Sequence, residues 1–266
     1  IQNKVPVISG SATADDVTVD ASGVKEYAFR ICFNDSYQGT AMANFALKNL
    51  SKTKAVILMD SSNDYSKGLA ESFTVAFTEG GGTIVSQEAY VAGDTDFNAV
   101  LTKMKDMDFD VLFVPGYYEE AGLIIKQARV LGITVPVLGA DGFDSPKLAE
   151  LAGADAANDI YFSNHYSSLD ESPVVQDFIK AFKTEYGVEP NAFNALGYDL
   201  AKFTCDGIGR ASQLTGEAVK DALEATKDFE GVTGTFSVGE DHNAIKALVV
   251  IEVQGGKQVS SVRAGV

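Results

Sequence analysis

The sequence has 266 residues, of which 45% are hydrophobic and 22% charged, values typical of a folded globular protein with one or two domains. Lysine and arginine number 21 against 37 aspartates and glutamates, so the formal net charge is −16. Such an acidic surface repels nucleic acid and anionic membranes, which excludes nucleic-acid binding. No apolar run reaches the roughly 18 residues of a membrane helix. The first residues also lack the pattern of a signal peptide, which fits a cytoplasmic protein or an exported one whose leader lies outside this sequence.

The chain begins with an apolar strand pattern at Val5, Val7 and Ile8, followed by the small hydroxylated run Ser9–Thr13. Such a loop offers backbone N–H groups and hydroxyls that suit an anion. The alternative is a capping loop, because serine, threonine and aspartate also start helices. The residues alone favour the capping loop.

From residue 54 the pattern alternates regularly between strands and helices. Strands are predicted at 54–60, 83–90, 110–116, 135–141 and 159–164, and helices at 65–81, 96–107 (capped by Thr95 or Asp96), 119–132 and from Ser145-Pro146. Continuous apolar strands separated by helices indicate a parallel sheet covered on both faces. The fold class is therefore α/β.

The remaining sequence predicts three further helices and an antiparallel tail at 233–264. The first helix begins at Ser172-Pro173, the second spans 193–212 and the third spans about 216–226. The residues expected to face the core are Val175, Phe178, Phe182 and Tyr186 in the first of these helices, and Tyr198, Ala201, Cys205 and Ile208 in the second. Cys32 and Cys205 are expected to be buried, reduced thiols, with a disulfide as the open alternative. Two histidines and two cysteines do not suggest a zinc site.

Polar and aromatic residues follow the predicted strands at their carboxyl ends, where open α/β sheets bind ligands. They include Asp60 through Tyr65, Tyr117, Asp141 and Asn164 through Tyr166. The opposite edge carries ordinary turns. This asymmetry predicts a binding cleft.

Five segments together resemble the extracytoplasmic amino-acid receptors of ABC importers, of the leucine/isoleucine/valine-binding type. These segments are PVISGSATADDVT, Asp60 to Gly68, PGYYEEAGLIIKQARVLG, GADGFDSP and NAFNALGYD. The resemblance implies two Rossmann-like lobes with parallel sheets, joined by three crossings (a type I periplasmic binding fold). Lobe I would contain residues 1–33 and 165–248 and would lack its first βα units, and lobe II would contain 34–164 and 249–266.

The same resemblance implies the residues of a ligand site. Ser11, Ala12 and Thr13 would hold the carboxylate of an amino acid, and Asp141 would pair with its ammonium group. Tyr65 and Tyr117 would close over the ligand, and Phe193 would line the pocket. From the residues alone, Asp141 also fits a turn before Gly142, and Tyr65 or Phe193 also fit a helix start that packs inward.

The function implied is non-enzymatic: capture of an amino acid, branched-chain or another aliphatic one, between two lobes for delivery to an ABC permease, without cofactor or metal. The protein would lie in the periplasm or at the cell surface as a lipoprotein. With part of lobe I missing, this chain alone would bind ligand weakly or not at all, and its exposed apolar surface would favour self-association.

Three alternatives stand beside that function. One is a sensor domain for another small ligand, such as an amide, urea or an aromatic acid. Another is a hydrolase with Ser9, Ser11 or Thr13 as nucleophile and His165 as base, although the sequence lacks a Gly-x-Ser-x-Gly elbow. A nucleotide-binding enzyme is disfavoured, because no P-loop and no Gly-x-Gly-x-x-Gly follows a strand.

Overall fold

A computed structural model of the chain describes residues 3–264. The chain separates into two compact units: a first unit of residues 3–34 and His165–Leu248, and a second unit of Asp35–Asn164 and Val249–Ala264. Within residues 3–264 the chain therefore passes from one unit to the other three times. The outermost residues of the predicted lobes, 1, 2, 265 and 266, lie outside the described residues. The assignment of these units to the two lobes of the family fold stays a prediction.

Strands and helices alternate along most of the described chain. The strands are β1 (Val7–Ser9), β2 (Val19–Asp20), β3 (Gly23–Val24), β4 (Ala28–Arg30), β5 (Lys54–Asp60), β6 (Thr83–Tyr90), β7 (Val111–Phe113), β8 (Val137–Gly139), β9 (Ile160–Asn164), β10 (Phe229–Gly231), β11 (Gly234–Val238), β12 (Ala244–Ile245), β13 (Leu248–Gln254) and β14 (Lys257–Ala264). The α-helices are α1 (Asp35–Lys48), α2 (Asp64–Glu79), α3 (Asn98–Lys105), α4 (Tyr118–Val130), α5 (Pro146–Ala152), α6 (Pro173–Tyr186), α7 (Ala192–Arg210) and α8 (Gly216–Glu224). Single 3₁₀ turns lie at Asp15–Val17 and Asp141–Phe143.

The second unit is built on a seven-stranded sheet in the order β14-β13-β9-β8-β7-β5-β6. Strands β5 to β9 pair in parallel, whereas β13 joins β9 antiparallel. The interior of β5, from Ala55 to Leu58, is fully buried, as expected for a strand covered on both faces. The α/β class and the parallel sheet predicted from the apolar runs are confirmed.

The first unit contains smaller sheets. Strands β1 and β4 pair in parallel, and β10, β11 and β12 form an antiparallel set. Its main core packs aromatic side chains from several elements, among them Phe29, Phe203 and Phe236. Helix α6 begins at Pro173 as predicted and buries Val175 and Phe178.

Helix α7 turns a different face to the core from the one the sequence predicts. The predicted inward positions are all exposed: Tyr198, Ala201, Cys205 and Ile208. Instead Phe203 is buried, and so is Asp199, whose carboxylate accepts two 2.8 Å hydrogen bonds from the backbone N–H groups of Val232 and Thr233. Because a buried aspartate interrupts the apolar stripe on the core face, the spacing of apolar residues indicated the wrong side.

Three smaller expectations are also wrong. Tyr186 is 65% exposed, because it occupies the last turn of α6. Helix α3 begins at Asn98 with Phe97 at its N-cap, although Asp96 Oδ1 still accepts the N–H of Asn98 at 2.9 Å. Cys205 is exposed rather than buried, and no disulfide joins it to the buried Cys32.

Over residues 3–264, no helix combines the length and the apolar character needed to cross a membrane.

Candidate functional site

Two of the predicted site residues meet at the carboxyl ends of the strands in the second unit. Tyr65 lies in the first turn of α2 after β5, and Asp141 lies in the 3₁₀ turn after β8. The phenol of Tyr65 donates a hydrogen bond of 2.7 Å to Asp141 Oδ1 and accepts one of 3.0 Å from the N–H of Gly142. Both side chains are buried. The turn therefore presents a carboxylate whose orientation is fixed by hydrogen bonds.

The start of α2 is anchored to the ends of two strands, which positions Tyr65. Asn63 caps the helix, and its Oδ1 accepts the backbone N–H of Tyr65 at 2.9 Å. The buried hydroxyl of Ser66 accepts the N–H of Asp60, the last residue of β5, at 2.9 Å and donates to the carbonyl of Pro115 after β7. Asparagine is among the best N-cap residues, so the helix start is fixed by local sequence.

Tyr117, the third predicted residue of this unit, follows β7 and occupies the N-cap of α4. Its ring stacks on that of Tyr65, with centroids 5.1 Å apart and planes 25° from parallel, and its side chain is 41% exposed. Burial raises the pKa of both phenols above the ordinary value, and the Asp141 carboxylate raises it further. Both tyrosines therefore stay neutral near pH 7 and offer hydroxyl donors beside an apolar wall.

A glutamine holds the other side of Asp141. Gln38 of α1 is fully buried, and its Nε2 donates to Asp141 Oδ1 at 3.2 Å. Its Oε1 accepts the N–H of Asp141 at 3.3 Å and the hydroxyl of Ser163, on β9, at 2.8 Å. Oδ1 of Asp141 thus accepts from two side chains, and one amide group contacts both the side chain and the backbone of the aspartate.

Two glycines allow close packing around the turns after β7 and β8. A Cβ on Gly142 would lie 2.6 Å from the carbonyl oxygen of Gly116 and 3.1 Å from the Tyr65 hydroxyl. A Cβ on Gly116 would lie 2.3 Å from the hydroxyl of Tyr90, which is buried. A side chain at position 142 would therefore push the site residues apart, and one at position 116 would displace the ring of Tyr90.

The backbone of the predicted anion-binding loop in the first unit is hydrogen-bonded to nearby side chains. The hydroxyl of Ser9 accepts the backbone N–H groups of Ser11 and Ala12, at 3.3 and 2.9 Å. The buried guanidinium of Arg30 donates to the carbonyls of Ala12 and Ala14, at 3.2 and 2.7 Å, and so fixes the loop from behind. These bonds are local to the loop and do not cap the 3₁₀ turn at Asp15–Val17, because its N-cap residue, Ala14, makes no side-chain hydrogen bond. That the loop amides bind an anion stays a prediction.

The other predicted positions of the first unit lie in different surroundings. Thr13 is buried, whereas Phe193, in the first turn of α7, has 37% of its surface exposed. His165, the base of the alternative hydrolase, is buried and stacks on Phe33 with ring centroids 3.6 Å apart. Among the residues that the structure describes, no group of three or more histidine, cysteine and acidic side chains is arranged to hold a metal ion.

Gln38, Ser163 and Arg30 were not predicted from the sequence. One signal was available for Gln38: together with Met42 and Phe45 it forms an i, i+4, i+7 stripe, and all three are buried on α1. A polar residue on the apolar face of a helix needs a hydrogen-bond partner, and the partner here is the site aspartate.

The chain is similar to a known protein family and to curated proteins. The sequence profile of the family described as periplasmic binding protein matches residues 2–258. A Leu/Ile/Val-binding protein homolog 3 from Brucella melitensis is 31% identical over 240 residues, which is 90% of this chain and 63% of that protein. The chain thus spans less than two thirds of the length of this curated relative.

Solved structures of amino-acid-binding proteins are also similar to this chain. The substrate-binding protein LivJ of the branched-chain amino acid transporter from Streptococcus pneumoniae, solved with isoleucine, is 40% identical, with a TM-score of 0.89 over 98% of this chain and 72% of that one. The leucine-binding protein LivK from Thermotoga maritima is 37% identical, with a TM-score of 0.89 over 98% of this chain and 73% of that one. On the family match and these similarities, the chain belongs to the periplasmic binding protein family.

Proposed function

We propose that this chain is part of a non-enzymatic receptor for a free amino acid, with a branched-chain or other aliphatic side chain. The carrying observation is the buried Asp141 carboxylate, held by Tyr65 and Gln38 at the carboxyl ends of the parallel strands. A shielded carboxylate suits an ammonium group, because truncating one partner of a buried, hydrogen-bonded charge pair typically costs about 2–5 kcal/mol. LivJ, which is 40% identical to this chain over the aligned part, was solved with isoleucine, and this supports the ligand class.

The roles of the individual residues follow from their chemistry. In the second unit, Asp141 pairs with the ammonium group, and the Tyr65 and Tyr117 rings cover the ligand. In the first unit, the backbone N–H groups of the Ser11–Thr13 loop leave the Ser9 hydroxyl and bind the carboxylate of the ligand. Phe193 contacts the side chain of the ligand. No bond of the ligand is broken in this scheme, so neither a nucleophile nor a cofactor is needed.

The names of the relatives support a partner and a location. LivJ is a substrate-binding protein of a branched-chain amino acid transporter. By analogy, this receptor delivers its ligand to an ABC permease in the membrane. Membership of the periplasmic binding protein family implies an extracytoplasmic location, and we propose either the periplasm or a lipid anchor at the cell surface.

Calorimetry with the twenty amino acids tests this function. Because the chain spans 63% of the B. melitensis relative, the titrations use a polypeptide of the relatives' full length that contains these 266 residues. We expect tight binding of one or a few aliphatic amino acids. Asp141→Asn should weaken this binding at least about 30-fold. This factor corresponds to about 2 kcal/mol, the lower end of the cost of truncating one partner of a buried charge pair.

Asp155→Asn is the matched control, because Asp155 is exposed on the same unit, and it should bind like the wild type. Binding of an amide or aromatic acid with no amino acid bound would favour the sensor function instead. Ester turnover that disappears in His165→Ala would favour the hydrolase.

A further inference from the structure

The amide of Gln38 contacts three groups with a defined pattern of donors and acceptors. Its Oε1 lies 3.3 Å from the N–H of Asp141 and 2.8 Å from the hydroxyl of Ser163, and both of these are donors. Its Nε2 lies 3.2 Å from Asp141 Oδ1, an acceptor. The opposite orientation of the amide would face nitrogen to nitrogen and oxygen to oxygen, so the orientation is determined by its neighbours.

We propose that Gln38 is the positioning residue of the ligand site, which sets the direction of the Asp141 carboxylate and links it to Ser163 on β9. This inference rests on the proposed function, in which Asp141 meets the ligand ammonium. Gln38 itself is fully buried and acts only through the aspartate. Ser163 is followed by Asn164, the last residue before the chain crosses into the first unit. A change in the direction of Asp141 is therefore coupled to the strand that leads to this crossing.

The isosteric variant Gln38→Glu gives a test with a pH signature. It places a carboxylate oxygen where Nε2 now faces Asp141 Oδ1, and two carboxylates at hydrogen-bond distance cannot both be ionised without penalty. Other titratable groups near this contact include Tyr65 of α2, which shares Oδ1, and Tyr117 at the start of α4, on which the charge of Asp141 also acts. Asp35 of α1 is a further one, and its charge acts on both phenols. A proton shared by the introduced carboxylate and Asp141 restores a donor at low pH.

The first measurement uses the 266-residue chain and needs no ligand. Thermal unfolding of Gln38→Glu is expected to show a large loss of Tm at pH 8 that shrinks towards pH 5, whereas Gln38→Met should lose stability equally at both values. The pH dependence should be clearly smaller in the double variant that combines Gln38→Glu with Asp141→Asn, because the facing carboxylate is gone and only the burial of the introduced carboxyl remains. A Gln38→Glu variant that follows the wild type at every pH would show that the amide does not face Asp141.

The second measurement is the affinity for isoleucine, leucine and valine on the full-length polypeptide. Gln38→Glu should bind at least about tenfold more weakly at pH 8 and recover to within about threefold of the wild type at pH 5, as its shared proton returns. Gln38→Met should be weakened at both pH values. Gln87→Glu, an exposed glutamine on β6, adds the same charge away from the site and should bind normally.

Ser163→Ala tests the link to β9. It should weaken binding a few-fold in the wild-type background and have no further effect in the Gln38→Met background, because the glutamine carries the coupling. Equal, independent effects in both backgrounds would overturn the link. If the wild type binds none of the twenty amino acids, the proposed function fails; if it binds and Gln38→Glu binds as well as the wild type from pH 5 to pH 8, only the role of Gln38 fails.

Discussion

The hydroxyl of Tyr65 lies 2.7 Å from Oδ1 of Asp141, although 76 positions separate the two residues in the chain. Parallel pairing explains how they meet: β5, β7 and β8 are neighbours in one sheet, so the turns after them lie at one edge. The contact joins the start of α2 to the turn that carries Asp141, whose carboxylate we propose pairs with the ammonium group of the ligand.

Replacing Tyr65 by phenylalanine removes this contact and leaves the N–H of Gly142 without its acceptor. We expect the free energy of unfolding to fall by about 1–3 kcal/mol, because both partners are buried, and amino-acid affinity to fall with it. Urea unfolding and calorimetry measure the two effects. Tyr118→Phe, outside this network, serves as the control; equal stability of the two variants would contradict the role of the hydroxyl.

Gly142→Ala should disturb the site without changing any polar group. The added methyl would lie 2.6 Å from the carbonyl oxygen of Gly116, so the two turns must move apart. Overpacking of this kind costs about 1–3 kcal/mol, and the stacked tyrosines should bind ligand less well. Gly197→Ala in α7 is the matched control, since nothing lies within 4 Å of its added methyl. That variant should have an unchanged free energy of unfolding or be about 0.5–1 kcal/mol more stable. A loss of stability there as large as at Gly142 would show that close packing at Gly142 is not the cause.

Arg30→Met tests how the predicted anion loop is held. The variant keeps the aliphatic stem but loses the hydrogen bonds to the carbonyls of Ala12 and Ala14. We expect a loss of about 2–3 kcal/mol in unfolding free energy, since bonds from a buried charged donor are among the stronger ones. Hydrogen exchange at the amides of Ser11 and Ala12 should also accelerate. Lys180→Met, which removes an exposed charge, should change neither quantity.

Lys246 is a buried amine in the first unit. Its Nζ donates to Thr233 Oγ1 at 2.8 Å, and that hydroxyl donates to Asp199 Oδ2 at 2.7 Å. Burial lowers the pKa of Lys246 from 10.5 to about 8, although the nearby Cys32 and Asp199 favour its charged form. At pH 7 the folded chain therefore carries an ammonium group that burial penalises.

This lowered pKa predicts how stability depends on pH. Below about pH 8 the amine is protonated in both states and the penalty is complete. Between pH 8 and 10.5 the unfolded chain binds more protons than the folded one, so the contribution of Lys246 to stability rises with pH, by up to about 3 kcal/mol. The difference in unfolding free energy between the wild type and Lys246→Met, followed from pH 7 to 10, should shift in favour of the wild type. A constant difference would exclude the lowered pKa.

The fold of the second unit could be read from sequence, because central strands such as β5 and β7 are continuous apolar runs and Leu69, Phe73 and Phe77 repeat at helical spacing in α2. The first unit was harder. In α7 the core face includes Asp199, whereas the exposed face carries Tyr198 and Ile208. Apolar spacing alone cannot distinguish the two faces, since the backbone N–H groups that Asp199 satisfies come from a distant turn.

The candidate site was predictable in part for a similar reason. Tyr65 and Asp141 follow strands, and the rule that parallel strands end at one edge places them together. Gln38 precedes the first strand of this sheet and lies within a helix, so no strand-end rule points to it. Its role depends on a contact over 103 positions of the chain that only the folded structure reveals.

The pairing of β9 with β13 has a consequence for how the protein is made. Asn164 lies opposite Val249 in this antiparallel pair, and the whole stretch His165–Leu248 belongs to the other unit. A ribosome must therefore synthesise that stretch before β9 can receive its last neighbour. Until then the nascent sheet exposes unpaired backbone N–H and C=O groups of β9. Such a strand edge can be bound by a chaperone or can pair with a second nascent chain.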